Sequence, residues 1–100
     1  MQNNEIDYSR GVLLYRGYNI SSFPTWNYAA LVEEFGADIA ECLLGYIENI
    51  SHEVDSLKLD WVKSPTAAAV ITCREISARH PELSEEALRA IVWNSSYSNR

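Results

Sequence analysis

The chain has 100 residues, 47% hydrophobic and 22% charged, with fourteen Asp plus Glu against eight Lys plus Arg and a formal net charge of −6. That length accommodates one small domain, 1–100, and excludes a two-domain enzyme. The acidity argues against a protein that grips phosphates unaided, and so against direct binding of nucleic acid.

No stretch reaches the roughly 18 to 20 uninterrupted apolar residues of a membrane-spanning helix. The opening residues Met1 to Asp7 are polar and acidic and lack the basic start and apolar centre of an export signal. The expectation is a cytoplasmic protein with no membrane contact. Cys42 and Cys73 fall inside mostly apolar stretches and are expected as buried free thiols. With two His and no C-x-x-C or H-x-x-x-H spacing, they do not compose a zinc site, and no metal or cofactor is expected.

In chain order, Gly11 to Ile20 contains the apolar run Val12-Leu13-Leu14-Tyr15, which reads as a short strand or a helical turn. No second convincing alternation offers a strand partner, so a first helix is placed over about residues 9–15. After Pro24, Thr25 is positioned to cap a helix running through Trp26 to Phe35, with Gly36 ending it. From Ile39, apolar residues recur at Leu43, Tyr46, Ile50, Val54 and Leu57, the spacing of one helical face. This is either one long helix or two joined near Ser51.

Ser64-Pro65 is a helix start, because a proline at the first position forfeits an N–H that has no intrahelical acceptor. The helix continues to about Arg79, with Ala68, Ala69, Ile71, Thr72, Ile76 and Ala78 on its less polar side. Pro81 stops it, and Ser84 caps a last helix whose first turn holds Glu85 and Glu86. Asn94 to Asn99 has poor helix propensity and is expected to fray. The fold class is all-α: a compact bundle of four to five helices, with an irregular or strand-like N-terminal segment left open.

The charge is unevenly placed. Residues 33–60 hold eight acids against Lys58 alone, a net of −7, and the rest of the chain nets +1. On a continuous helix, Glu34, Asp38, Glu41, Glu48 and Asp55 are linked by steps of three, four and seven, which stacks them in one row with Gly45 and His52. An ordinary solvated face mixes Lys with Glu in i,i+4 pairs, whereas this one is almost wholly of one sign. Such a row would steer a basic partner.

Eleven aromatics form the second feature, six of them (Tyr8, Tyr15, Tyr18, Phe23, Trp26, Tyr28) within the first 28 residues. Most belong in the core of a small domain. Tyr15, Tyr18 and Trp26 sit in the least regular segment and are expected as an aromatic anchor beside the acidic row.

Catalytic motifs are missing. His52-Glu53-Val54-Asp55-Ser56 approaches H-E-x-x-H but has Ser56 at the second histidine position. Neither cysteine lies in a glycine-rich turn or next to a histidine, and there is no phosphate-cradling loop or nucleophile elbow. A helix-turn-helix reading of 64–95 leaves Arg89 as the only base that its second helix could offer a major groove.

The expectation is therefore a non-enzymatic binding protein. In size and charge it is analogous to small acidic immunity or antitoxin-type inhibitors that occlude the basic active site of a bacterial nuclease toxin, though no motif carries the analogy. Its binding residues would be Glu34, Asp38, Glu41, Glu48, His52 and Asp55 with Tyr15, Tyr18 and Trp26. The alternative is a small helical structural or accessory subunit, phage or bacterial, that self-associates or docks onto a larger assembly. The oligomeric state is open.

Overall fold

The structure, a computed structural model, describes residues 6–99. Residue 100 and residues 1–5, which carry most of the opening segment read above for an export signal, lie outside the described residues. Five helices follow in order: α1 (Tyr8–Arg16), α2 (Tyr28–Phe35), α3 (Ala37–Ser56), α4 (Pro65–Arg79) and α5 (Glu85–Ser98). No strand occurs among the described residues, so the 11–20 segment resolves as helix followed by a turn. The Cα radius of gyration, 13.5 Å, matches the roughly 13 Å of a compact 100-residue chain. None of the described helices is long and apolar enough to cross a membrane.

Side-chain caps set several boundaries. Asp7 accepts from the Arg10 amide at the start of α1, and Gly17 ends that helix in the left-handed conformation (φ 70°). Ser84 accepts from the Ala87 amide at the start of α5, as its position in the sequence predicts. Pro65 opens α4 without a side-chain cap bond from Ser64.

The start of α2 differs from expectation. Its cap is Asn27, whose Oδ1 accepts from the Ala30 amide at 3.0 Å, so Thr25 and Trp26 lie outside the helix. Thr25 is drawn away by the open carbonyls at the end of α1: its hydroxyl donates to Tyr15 O (2.7 Å) and its amide to Arg16 O (2.9 Å), while the Asn27 amide also reaches Tyr15 O (3.0 Å). These three bonds strap the 24–27 segment to the end of α1.

Gly36 is the whole link between α2 and α3. Its backbone (φ 87°, ψ 161°) is a conformation open essentially only to glycine, which lets one residue end one helix and start the next. α3 is a single helix across Gly45 and Ser51. At about 1.5 Å per residue its twenty residues make a rod of about 30 Å, and every other helix packs against it.

The buried stripe of α3 is Ala40, Leu43, Ile47, Ile50 and Val54. It is rotated slightly from the expected one: Ile39 is exposed, Tyr46 and Leu57 are half-buried, and Ala40 and Ile47 take the interior positions. Around it gather Val12 and Tyr15 from α1, Leu31 from α2, Trp61 from the α3–α4 link, Ala68 and Ile76 from α4, and Ala87, Leu88, Ala90 and Ile91 from α5. On α4, Ala78 is exposed rather than interior.

Two further expectations are corrected. Cys42 and Cys73 are free, but Cys42 is exposed and Cys73 half-buried, because both stand off the buried stripes of their helices. The polar C-terminal stretch does not fray before Ser98. Ser95 is buried, Trp93 packs edge-on to Tyr97, and Asn99 Nδ2 donates to Ser95 O at 2.8 Å, so tertiary contacts override weak propensity.

Candidate functional site

A helix turns 100° per residue, so the core stripe of α3 determines where its acids point. Asp38, Glu41, Glu48, His52 and Asp55 are all exposed, on the face opposite or flanking Leu43, Ile47 and Ile50. Gly45 lies among them with open space around its Cα, where an added Cβ would meet nothing within 4 Å. From Asp38 to Asp55 the row is about 25 Å long.

Pairing separates these carboxylates from the other described acids except Glu33, which likewise forms no ion pair or side-chain hydrogen bond among the described residues. Glu53, Glu75, Glu82 and Glu85 each face a basic side chain within 4 Å. Glu34, aligned with these acids only on a continuous helix, lies on α2 beyond the Gly36 break and is 3.5 Å from Arg10 Nε, so it is paired with α1 and does not extend the α3 row. Among the described residues, Asp38, Glu41, Glu48 and Asp55 form no ion pair and no side-chain hydrogen bond. His52 and Glu53, neighbours in sequence, point to different sides: His52 stays on the row, while Glu53 Oε1 turns inward to His80 Nε2 at 2.8 Å.

The structure divides the three predicted aromatics. Trp26 is 67% exposed and borders a small polar cavity that Ser51 and Asp55 also line, which puts it beside the C-terminal end of the row. Tyr15 is buried, and burial, with the charge of nearby Glu48 adding to it, pushes its phenol above the ordinary tyrosine value. Its ring is core. Tyr18 faces away from the row, edge-on to Trp93 at 5.5 Å.

Arg16 went unnoticed in the sequence. It is 6% exposed, and burial pushes its guanidinium below the ordinary arginine value. Nη2 donates to Ser51 Oγ on α3 (3.1 Å), and the rings of Tyr15 and Trp26 lie 5.0 and 5.7 Å from Cζ. Trp26 is thus seated on a buried cation. No sequence signal marked this, because Arg16 and Ser51 are 35 positions apart.

A second surface lies between α4 and α5. It is an open, mostly apolar groove of about 920 Å³ lined by Tyr18, Ala69, Val70, Cys73, Leu88, Val92, Trp93 and Tyr97, with Arg74 and Arg89 at its edges. The Tyr97 hydroxyl donates to the carbonyl of Ser22 (3.5 Å), in the 19–23 segment where Ile20 and Phe23 are exposed.

Comparison of the chain with family models, with curated proteins and with solved structures gives no match.

Proposed function

We propose that the protein is a non-enzymatic binding protein whose acidic α3 face engages a basic protein, in the manner of a small immunity or antitoxin-type inhibitor occluding a nuclease active site. One observation supports this reading above the others: four exposed carboxylates, Asp38, Glu41, Glu48 and Asp55, stand in a row about 25 Å long with no base paired to any of them among the described residues. Nuclease active sites collect Lys, Arg and His to hold phosphates, and a rigid helix with carboxylates at that spacing can take the place of the substrate's charge. Trp26, exposed beside Asp55, supplies the apolar contact that binding surfaces concentrate in a few aromatics.

The test is partner binding by the wild type and by a variant carrying Glu41→Lys, Glu48→Lys and Asp55→Lys, each at low and high salt. The expected outcome is a basic partner whose association slows steeply with salt and is lost in the variant. Binding that is indifferent to both changes would discard the reading. A second reading, a self-associating or docking subunit, is favoured by the apolar groove of α4 and α5 and the exposed Ile20 and Phe23. It requires a mass by light scattering that rises with concentration.

A further inference from the structure

Arg16 is the charged side chain that the fold explains least. It is buried, it has no carboxylate within 4 Å among the described residues, and its acceptors are Ser51 Oγ at 3.1 Å and the more distant Thr25 O at 3.5 Å. Three of its five N–H groups therefore have no acceptor among those residues. A guanidinium withdrawn from water without a counter-charge is unfavourable, and such a group is ordinarily paired.

Its edge borders a half-enclosed cavity of about 200 Å³ between α3, α5 and the 24–27 strap, with Trp26, Ser51, Asp55, Asn94 and Ser95 among its walls. This is well above the roughly 30 Å³ that one water occupies in the liquid. Asn94 and Asp55 line the same space. Asn94 Oδ1 is buried, with no hydrogen-bond partner among the described residues. Asp55 stands one helical turn beyond Ser51 and forms no ion pair among the described residues.

One cavity thus brings together spare donors on a buried cation and an exposed carboxylate that no base pairs among the described residues. A simple anion would satisfy Arg16 but be repelled by Asp55, and a simple amine would meet the reverse. We propose that this cavity binds a small zwitterion of the α-amino-acid class. The ligand carboxylate takes the remaining N–H groups of Arg16 and the Ser51 hydroxyl, and the ammonium donates to Asp55. The ligand's side chain lies against the Trp26 edge. Asp55 and Trp26 belong to both surfaces, whereas Glu41 and Glu48 do not line the cavity, so loss of partner binding in Glu41→Lys or Glu48→Lys and loss of amino-acid binding in Asp55→Asn are read separately.

The experiment is an NMR titration of the full chain that follows the Arg16 Nε–H and Asn94 side-chain amide signals. Glycine, L-alanine and L-serine are added in turn, then acetate and methylammonium separately. The expected result is a saturable shift of both signals with the amino acids and binding at least about tenfold weaker for either half-ligand. Asp55→Asn, a change at an exposed position, should weaken amino-acid binding by about tenfold while the circular dichroism spectrum stays that of the wild type. No saturable shift with any amino acid would mean a solvent-filled cavity and overturn the proposal. Acetate binding as tightly as glycine, or unchanged glycine binding in Asp55→Asn, would overturn the zwitterion assignment.

Discussion

The Tyr46 hydroxyl donates a hydrogen bond to Glu82 Oε2, joining the side of α3 to the α4–α5 turn, and His80 Nδ1 lies 3.4 Å from the same oxygen. His80 Nε2 meets Glu53 at 2.8 Å, and the rings of Tyr8 and His80 lie 4.2 and 5.4 Å from the Tyr46 ring. Three segments converge there, on the flank of α3 away from Arg16. The Tyr46 bond holds the Glu82 carboxyl below its ordinary value.

A depressed carboxyl contributes stability that is present above its unfolded value and lost as pH falls through the folded one. Tyr46→Phe should therefore lower stability by about 1 kcal/mol near neutral pH, a figure discounted because Glu82 is 40% exposed. The gap between wild type and variant should narrow as pH falls below about 4.3, the ordinary glutamate value. Urea unfolding at a series of pH values measures it, and a gap that widens on acidification would contradict the assignment.

Gly11 and Gly45 predict opposite signs for the same substitution. A Cβ on Gly11 would approach Leu43 Cδ2 to 2.7 Å, and Leu43 is fully buried, so Gly11→Ala forces α1 and α3 apart or Leu43 out of its rotamer. Overpacking of that kind costs about 1–3 kcal/mol, more than the helix propensity gained. At Gly45 the added methyl meets nothing, and Gly45→Ala should stabilise by up to about 1 kcal/mol. Thermal unfolding of the two variants should move in opposite directions.

The two serine caps separate a side-chain bond from mere position. Ser84→Ala should cost about 1 kcal/mol, because its hydroxyl holds the Ala87 amide at 3.1 Å. Ser64→Ala should be near neutral, since Ser64 makes no side-chain cap bond and Pro65 has no amide proton to satisfy. Equal losses in the two variants, read by denaturant midpoints, would refute this.

Charge repulsion along α3 predicts a trade between stability and binding. Glu41→Lys places a base three residues after Asp38 and seven before Glu48, replacing repulsion with attraction. The isolated protein should gain a few tenths of a kcal/mol at low salt, with the gain shrinking as salt is added, while association with a basic partner slows. A variant that is less stable at low salt than wild type would show that Glu41 has a favourable contact.

The helices were legible because their signals are local. Pro65, Pro81, Gly36 and Ser84 act on backbone within a turn of themselves, and each marks a boundary in the structure. The acidic row was legible for the same reason, since helical geometry converts spacing into direction. What escaped depends on contacts between distant segments. Thr25 has the chemistry of a cap, and only the folded position of Tyr15 O, ten residues earlier, turns its hydroxyl elsewhere. The same folding sorts Tyr15 into the core, Tyr18 onto Trp93 and Trp26 onto Arg16. Alternation along a short irregular segment carries no information about which of three aromatics will face solvent.

The strap of three hydrogen bonds from Thr25 and Asn27 to the end of α1 bears on the thermodynamics of recognition. A loop that is free before binding loses conformational entropy when a partner orders it, and each immobilised side chain subtracts about 0.5–1.5 kcal/mol from the affinity. Here the ordering of the backbone around Trp26 is completed during folding, against carbonyls that α1 must satisfy in any case. An exposed indole held in this way would meet a partner of the kind proposed above already in place, and the free energy of that contact would go into the lifetime of the complex.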